Sequence, residues 1–344
     1  MENSFRRTAV IFASLWLVMT GIGGTASAKD YKVVKLDSNV VGKGRFNDPL
    51  LVNGWGIADS PTGAFWVSDQ GTGWSTLYNG MGTPQSLQVI IPSANGQNVG
   101  SPTGIAYNGA QEFKVKNWPS LFLFATLDGT ISGWAPQANP NESIIAVDNS
   151  ATGAVYTGLA ITSHPSGNSL FAVDNANSKV DIYDSNFNFV SSFTDSTLTG
   201  MAPFGAQDIN GLVYVTFAPI TGGPGGAVDI FTESGTLMQQ LVKNDHLDQP
   251  WGVALAPNNF GPLSGDLLVS NNTNSGTING YNAATGAYVG TISDSTGKPI
   301  VINQIWGIGF GGGTTNNGKV NQLFYASGPA NNQDGEFGAI QVLP

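Results

Sequence analysis

The chain has 344 residues, with 46 glycines, 8 tryptophans, no cysteine and only 10% charged residues, yet 41% hydrophobic and 10% aromatic content is ample for a core and excludes a disordered chain. Without cysteine there is no disulfide, no thiolate nucleophile and no cysteine-ligated zinc or iron–sulfur site, and two histidines leave little to ligate a transition metal. The balance of 13 basic against 23 acidic side chains, a formal charge of −10 with no concentrated basic stretch, argues against nucleic acid as a partner.

In chain order, Arg6 and Arg7 come first, followed by an apolar run over 9–19 and then by small residues ending in Ala26-Ser27-Ala28. That is the pattern of a secretory signal with an Ala-x-Ala cleavage site. The run is short for a membrane span of about 20 apolar residues. The expectation is a cleaved signal over 1–28 and a single propeller domain over 29–344, secreted to an extracellular or periplasmic location and free of membrane after the signal is removed. The end, Val342-Leu343-Pro344, carries no sorting tail, which adds the expectation of release.

Beyond the signal no apolar stripe of helical period is sustained, and short runs rich in Val, Ile, Leu, Phe and Tyr alternate with clusters of Gly, Asn, Ser, Thr and Pro. The chain reads as all-β. A repeated element, an aromatic or small residue followed by glycine and an apolar strand, occurs at Trp55-Gly56-Ile57, Thr103-Gly104-Ile105, Thr157-Gly158-Leu159, Phe204-Gly205-Ala206, Trp251-Gly252-Val253 and Trp306-Gly307-Ile308. Its glycines are 48, 54, 47, 47 and 55 residues apart, a period that with four strands per unit predicts a six-bladed β-propeller. The third unit reads as strands over 158–162, 170–174, 180–183 and 189–193, and the fifth as 252–256, 266–270, 277–281 and 288–292. The sixth supplies only 307–310, 323–327 and 339–342. A surplus strand over 31–36 is therefore expected to complete the last blade and close the ring.

In such a ring the residues that precede each first strand and those that end each second strand gather at one end of the channel. That rim collects Asn53, Trp55, Asp69, Asp128, Asp174, His246, Asp248, Trp251, Asn271, Asn272, Gln304, Trp306 and Asn331. Asn53, Trp55, Trp251, Gln304 and Trp306 form the expected ligand site, because indoles beside amides stack on and hydrogen-bond a small molecule, glycan or peptide; the same indoles also suit packing between blades. Asp69, Asp174 and Asn271 are the expected hard oxygen ligands for calcium, or else strand-ending turn residues. His246, in Asn244-Asp245-His246-Leu247-Asp248, is the candidate general base, assisted by a neighbouring carboxylate, with a solvated loop histidine as the plain alternative. Asp184-x-Asn186-x-Asn188 begins like an EF-hand loop, but Phe189 stands where glycine is required, so it reads as a hairpin turn. Nucleophile-elbow, phosphate-loop and H-E-x-x-H motifs are absent from the sequence.

Residues 48–57 (DPLLVNGWGI), 65–69 (FWVSD), 249–257 (QPWGVALAP) with 259–261 (NFG), and 305–311 (IWGIGFG) together resemble a group of exported bacterial proteins related to NHL-repeat six-bladed propellers, often found in genomes with the PEP-CTERM sorting system. The resemblance runs from about Tyr31 to the end. It implies a six-bladed propeller and no established reaction. Asp334 stands where those relatives tend to have histidine, which weakens a metal there. Three functions are then open: a secreted binding protein, a propeller lyase or hydrolase assisted by a metal such as calcium, and a structural extracellular matrix protein.

Overall fold

Six antiparallel sheets follow one another around a central axis in a computed structural model that describes residues 30–94, 96, 98–165 and 167–343. The expected signal over 1–28 lies outside the described residues. Blade 1 contains Gly54–Asp59, Phe65–Asp69, Trp74–Tyr78 and Val89–Ile90 in sequential order from the axis outward. Blades 3, 4 and 5 begin with Tyr156–Thr162, Met201–Ile209 and Pro250–Leu255 and repeat the four-strand order. Blade 2 begins with Pro102–Tyr107 and carries an extra hairpin, Lys114–Val115 with Trp118–Pro119, before its second strand, inside the longer 54-residue spacing from Gly104 to Gly158. Blade 6 contains Ile305–Phe310, Gln322–Ser327 and Glu336–Val342, and Tyr31–Ser38 pairs antiparallel with the last of these from Tyr31↔Val342 to Ser38↔Glu336. Phe46–Asn47 adds a short parallel fifth strand outside it.

The repeat glycines explain the ring. Each first strand packs against the first strands of both neighbouring blades, including blade 6 against blade 1. At every repeat glycine the space a Cβ would fill is taken by the next blade, most often by its backbone. A Cβ on Gly252 would lie 2.6 Å from the Trp306 carbonyl oxygen, and one on Gly307 would lie 2.9 Å from that of Trp55. Only glycine permits backbones to approach so closely. Hydroxyl groups tie the same joints: Thr157 Oγ1 donates to Phe204 O at 2.8 Å, Thr216 Oγ1 to Trp251 O at 3.1 Å and Ser270 Oγ to Trp306 O at 2.7 Å.

Burial is divided between the gaps. One apolar cluster fills each of the six spaces between neighbouring sheets, as with Leu159, Leu170 and Tyr156 against Leu123 and Ile131 between blades 2 and 3. Because alternate residues of a strand point to opposite faces and both faces of an inner strand meet a neighbouring blade, these strands read as apolar runs with little charge.

Candidate ligand site in the axial channel

The two ends of the channel differ. At the end where the first strands begin, Trp55, Trp251 and Trp306 form a cluster of their own, with Leu127 and Phe204 packed against it. Trp55 and Trp306 stack with centroids 3.7 Å apart and planes at 19°, and Trp251 meets Trp306 edge-on at 6.0 Å and 90°. Trp306 Nε1 donates to Asn53 Oδ1 at 2.9 Å and Trp251 Nε1 donates to Thr157 O at 3.0 Å. The rings are only 6%, 9% and 4% exposed, so they spend their faces on one another and plug the axis instead of offering a platform to solvent. Blades 2 and 3 carry Thr103 and Thr157 at the equivalent place, which leaves room for the indoles of the other blades.

Asn53 and Gln304 are fixed by the same architecture. Both are left-handed, at φ 49° and 51°, a conformation that costs a non-glycine residue energy unless the surroundings repay it. The return is a backbone hydrogen bond found in all six blades: the carbonyl before the first strand accepts from the N–H that follows the second, as in Gln70 N to Asn53 O at 3.2 Å and Gly328 N to Gln304 O at 2.9 Å. Asn53 is buried, its amide donating to Gln70 Oε1 at 2.7 Å.

Asp69, Asp174 and Asn271 hold equivalent places at the ends of the second strands of blades 1, 3 and 5, and Asp174 and Asn271 are hydrogen-bonded inside their own blades. Asp174 accepts from Val155 N at 3.1 Å and from Asn177 Nδ2 at 2.7 Å. Asn271 Oδ1 accepts from Asp248 N at 3.0 Å, and its amide donates to His246 O at 3.0 Å. Asp69 is fully buried beside the Thr76 hydroxyl, and burial pushes its carboxyl well above the ordinary range. Among the described residues no group of three or more His, Asp or Glu side chains is placed to hold a metal ion. His246 is half-exposed, stacked on Tyr288 at 3.8 Å with Nδ1 2.7 Å from Asp245 Oδ1, on the outer edge of blade 5 and away from the axis. The Asp184 segment is a hairpin turn, with Asp184 Oδ1 accepting from Asn186 N and Asn188 N.

The opposite end of the channel is open. A funnel of about 490 Å³ lies there, within the range of ~300–1,000 Å³ usual for small-molecule sites. All six first strands line it. Ile57, Ile105, Leu159, Val253 and Ile308, each directly after its repeat glycine, form an apolar throat. The third residue after each glycine forms the mouth: Asp59, Tyr107, Ile161, Asp208, Leu255 and Phe310. Gln207 and Asn210 add polar groups at blade 4. Inward the space narrows to about 20 Å³ and stops at Trp251. Sequence reasoning missed these residues because the tryptophans drew attention to the other end; the signal was the offset of three from each glycine, which the period of two along a strand turns toward the same side as the throat.

Comparison with known proteins agrees on the fold and goes no further. No family model matches the sequence. An uncharacterized protein of Acanthamoeba polyphaga mimivirus is 29% identical over 340 residues, covering 92% of this chain and 82% of that protein. A second uncharacterized mimivirus protein is 30% identical over 264 residues, covering 71% of this chain and 48% of its own length. The expected kinship with exported bacterial NHL-related proteins is thereby corrected: these relatives are viral. The Trp-Gly motifs that suggested it sit where first strands crowd together at the propeller axis. Among solved structures, a protein of unknown function from Bacteroides thetaiotaomicron superposes with a TM-score of 0.58 at 12% identity, covering 91% of this chain and 76% of the other. Virginiamycin B lyase from Staphylococcus aureus superposes at 0.51 and 13% identity, covering 91% and 100%.

Proposed function

We propose that this protein is a binding propeller whose ligand, a small molecule, enters the axial funnel at the end opposite the tryptophan plug. The observation that carries this reading is the funnel itself, a cavity walled by all six blades, apolar in its throat, polar at its mouth and closed at its base. Removing apolar ligand surface from water there contributes about 25 cal/mol per Å² buried, and the mouth supplies the few polar groups that fix orientation. The site differs from the rim of Trp55, Trp251 and Trp306, whose rings are already occupied with one another. The likeness to virginiamycin B lyase, at 13% identity, brings the fold and not the reaction. The same proposal includes a role for Tyr31–Ser38 in sealing the ring that holds the funnel walls together, and export of the chain with cleavage after Ala28.

The test is a titration with a neutral apolar dye such as Nile red. Binding at one site per chain, abolished by Leu255→Trp, which fills the mouth from a partly exposed position, supports the reading. Equal dye binding by the variant would overturn it.

A further inference from the structure

Resting on the funnel as the binding site, we infer that its ligand carries a cationic ammonium group on an apolar body. Two of the six mouth residues are carboxylates, Asp59 of blade 1 and Asp208 of blade 4, and in a six-fold ring those blades face each other across the axis. Among the described residues no lysine, arginine or histidine lines the funnel. The remaining mouth and throat residues are apolar or neutral, so neither carboxylate has a cation to balance it.

Both carboxylates are held in place by neutral donors. Asn317 Nδ2 donates to Asp59 Oδ2 at 2.8 Å while also donating to Ser60 O and Pro61 O at 3.2 Å, which anchors the Asp59 side chain to its own loop. Gly211 N donates to Asp208 Oδ1 at 3.0 Å. Burial raises the Asp59 carboxyl to about 6 despite the Asn317 bond, and burial raises that of Asp208, with Glu233 adding to the effect. A partly dehydrated carboxylate beside an apolar wall is poorly stabilised by water and by protein alike. A ligand that brings a positive charge to the mouth restores that balance through a charge-assisted hydrogen bond, while its apolar part fills the throat of Ile57, Ile105, Leu159, Val253 and Ile308. An anionic ligand of the same shape meets two carboxylates on a chain with a formal charge of −10. The class this selects is alkyl- or arylalkyl-amines.

Isothermal titration at pH 7.5 with n-octylammonium, n-octanol and octanoate, three probes with one tail and three head groups, decides it. The expected order is ammonium tighter than alcohol by about tenfold, the scale of one hydrogen bond to a charged group, with octanoate weakest. Asp208→Asn, which leaves the Asn317 anchor untouched, should bring the ammonium toward the alcohol and leave the alcohol unchanged; Asp59→Asn should do the same. Equal affinities for ammonium and alcohol, both abolished by Leu255→Trp, would overturn the cationic ligand and leave the funnel standing. Binding of all three probes unaffected by Leu255→Trp would overturn the funnel itself.

Discussion

The plugged and open ends of this channel are made by the same six strands, and they differ only in which side chains stand before and after one glycine. Before it, Trp55, Trp251, Trp306 and Phe204 are large enough to meet on the axis and exclude solvent. Three residues after it, Asp59, Tyr107, Ile161, Asp208, Leu255 and Phe310 leave a mouth open. A propeller channel is therefore filled or emptied by side-chain volume at equivalent positions, with the backbone held constant by the glycine ring.

The strongest way to break the comparison is to remove what both ends share. Deleting residues 30–38 strips the outer strand from blade 6, bares the edge of Glu336–Val342 and removes Tyr31 and Leu36 from the clusters flanking that blade. At ~1.5–3 kcal/mol for each buried side chain plus the lost strand pairing, the expected loss is more than about 4 kcal/mol. An unchanged melting transition would refute the sealing role.

Truncation at each end sharpens the contrast. Trp306→Ala leaves a cavity among Trp55, Trp251 and Phe204 and should cost about 3–5 kcal/mol in chemical denaturation. Phe310→Ala, at the half-buried mouth, should cost about 1 kcal/mol. Equal costs would mean that the plug is no better packed than the mouth. Gly252→Ala falls between them, at about 1–3 kcal/mol, because the new methyl group meets the Trp306 carbonyl.

A smaller effect separates buried carboxyls between blades from those at the mouth. Burial raises Asp229 to about 8, reinforced by Asp195 beside it, and raises Asp37 to about 7, reinforced by Asp48. Asp229 has no donor on either oxygen; a proton held on it makes the Asp229–Asp195 contact a hydrogen bond. The folded chain thus holds protons that the unfolded chain releases near pH 4, so the stability these groups contribute is complete below about pH 4 and is lost as pH rises through 7 to 8. Melting temperature should fall by several degrees from pH 5 to pH 8. Asp229→Asn should flatten that slope and raise the melting temperature at pH 8; an unaltered slope would place the linkage elsewhere. Smallest of all, Asp208→Asn at the half-buried mouth should change stability by no more than about 0.5 kcal/mol.

The sequence was most legible where the backbone had one solution. The six glycines and the strands beside them marked the blades because close approach at the axis admits no other residue. The extra hairpin at Lys114–Pro119 was legible only as a longer spacing, 54 residues against 47 and 48 on either side, since a four-residue ladder has no pattern of its own. Asp69, Asp174 and Asn271 were expected at one rim of the channel, but strand polarity does not say which way an end residue points. Here Asp174 and Asn271 accept from backbone N–H groups of their own blades, and Asp69 lies buried beside the Thr76 hydroxyl. The tryptophans were expected at one rim; that they stack on one another depends on indole volume at the axis, which only the assembled ring fixes.

By itself the sequence determined an all-β chain of six repeated sheets, because the 47–55-residue period and the alternation of strands and turns are local properties of covalent geometry and patterning. Which end of the channel is closed, which carboxylates face the solvent and which lie dry between blades were decided only by tertiary structure. Those outcomes depend on distances between residues far apart in the chain, such as Asn53 and Trp306, 253 positions apart, and on whether a side chain meets water or another blade once the ring has formed.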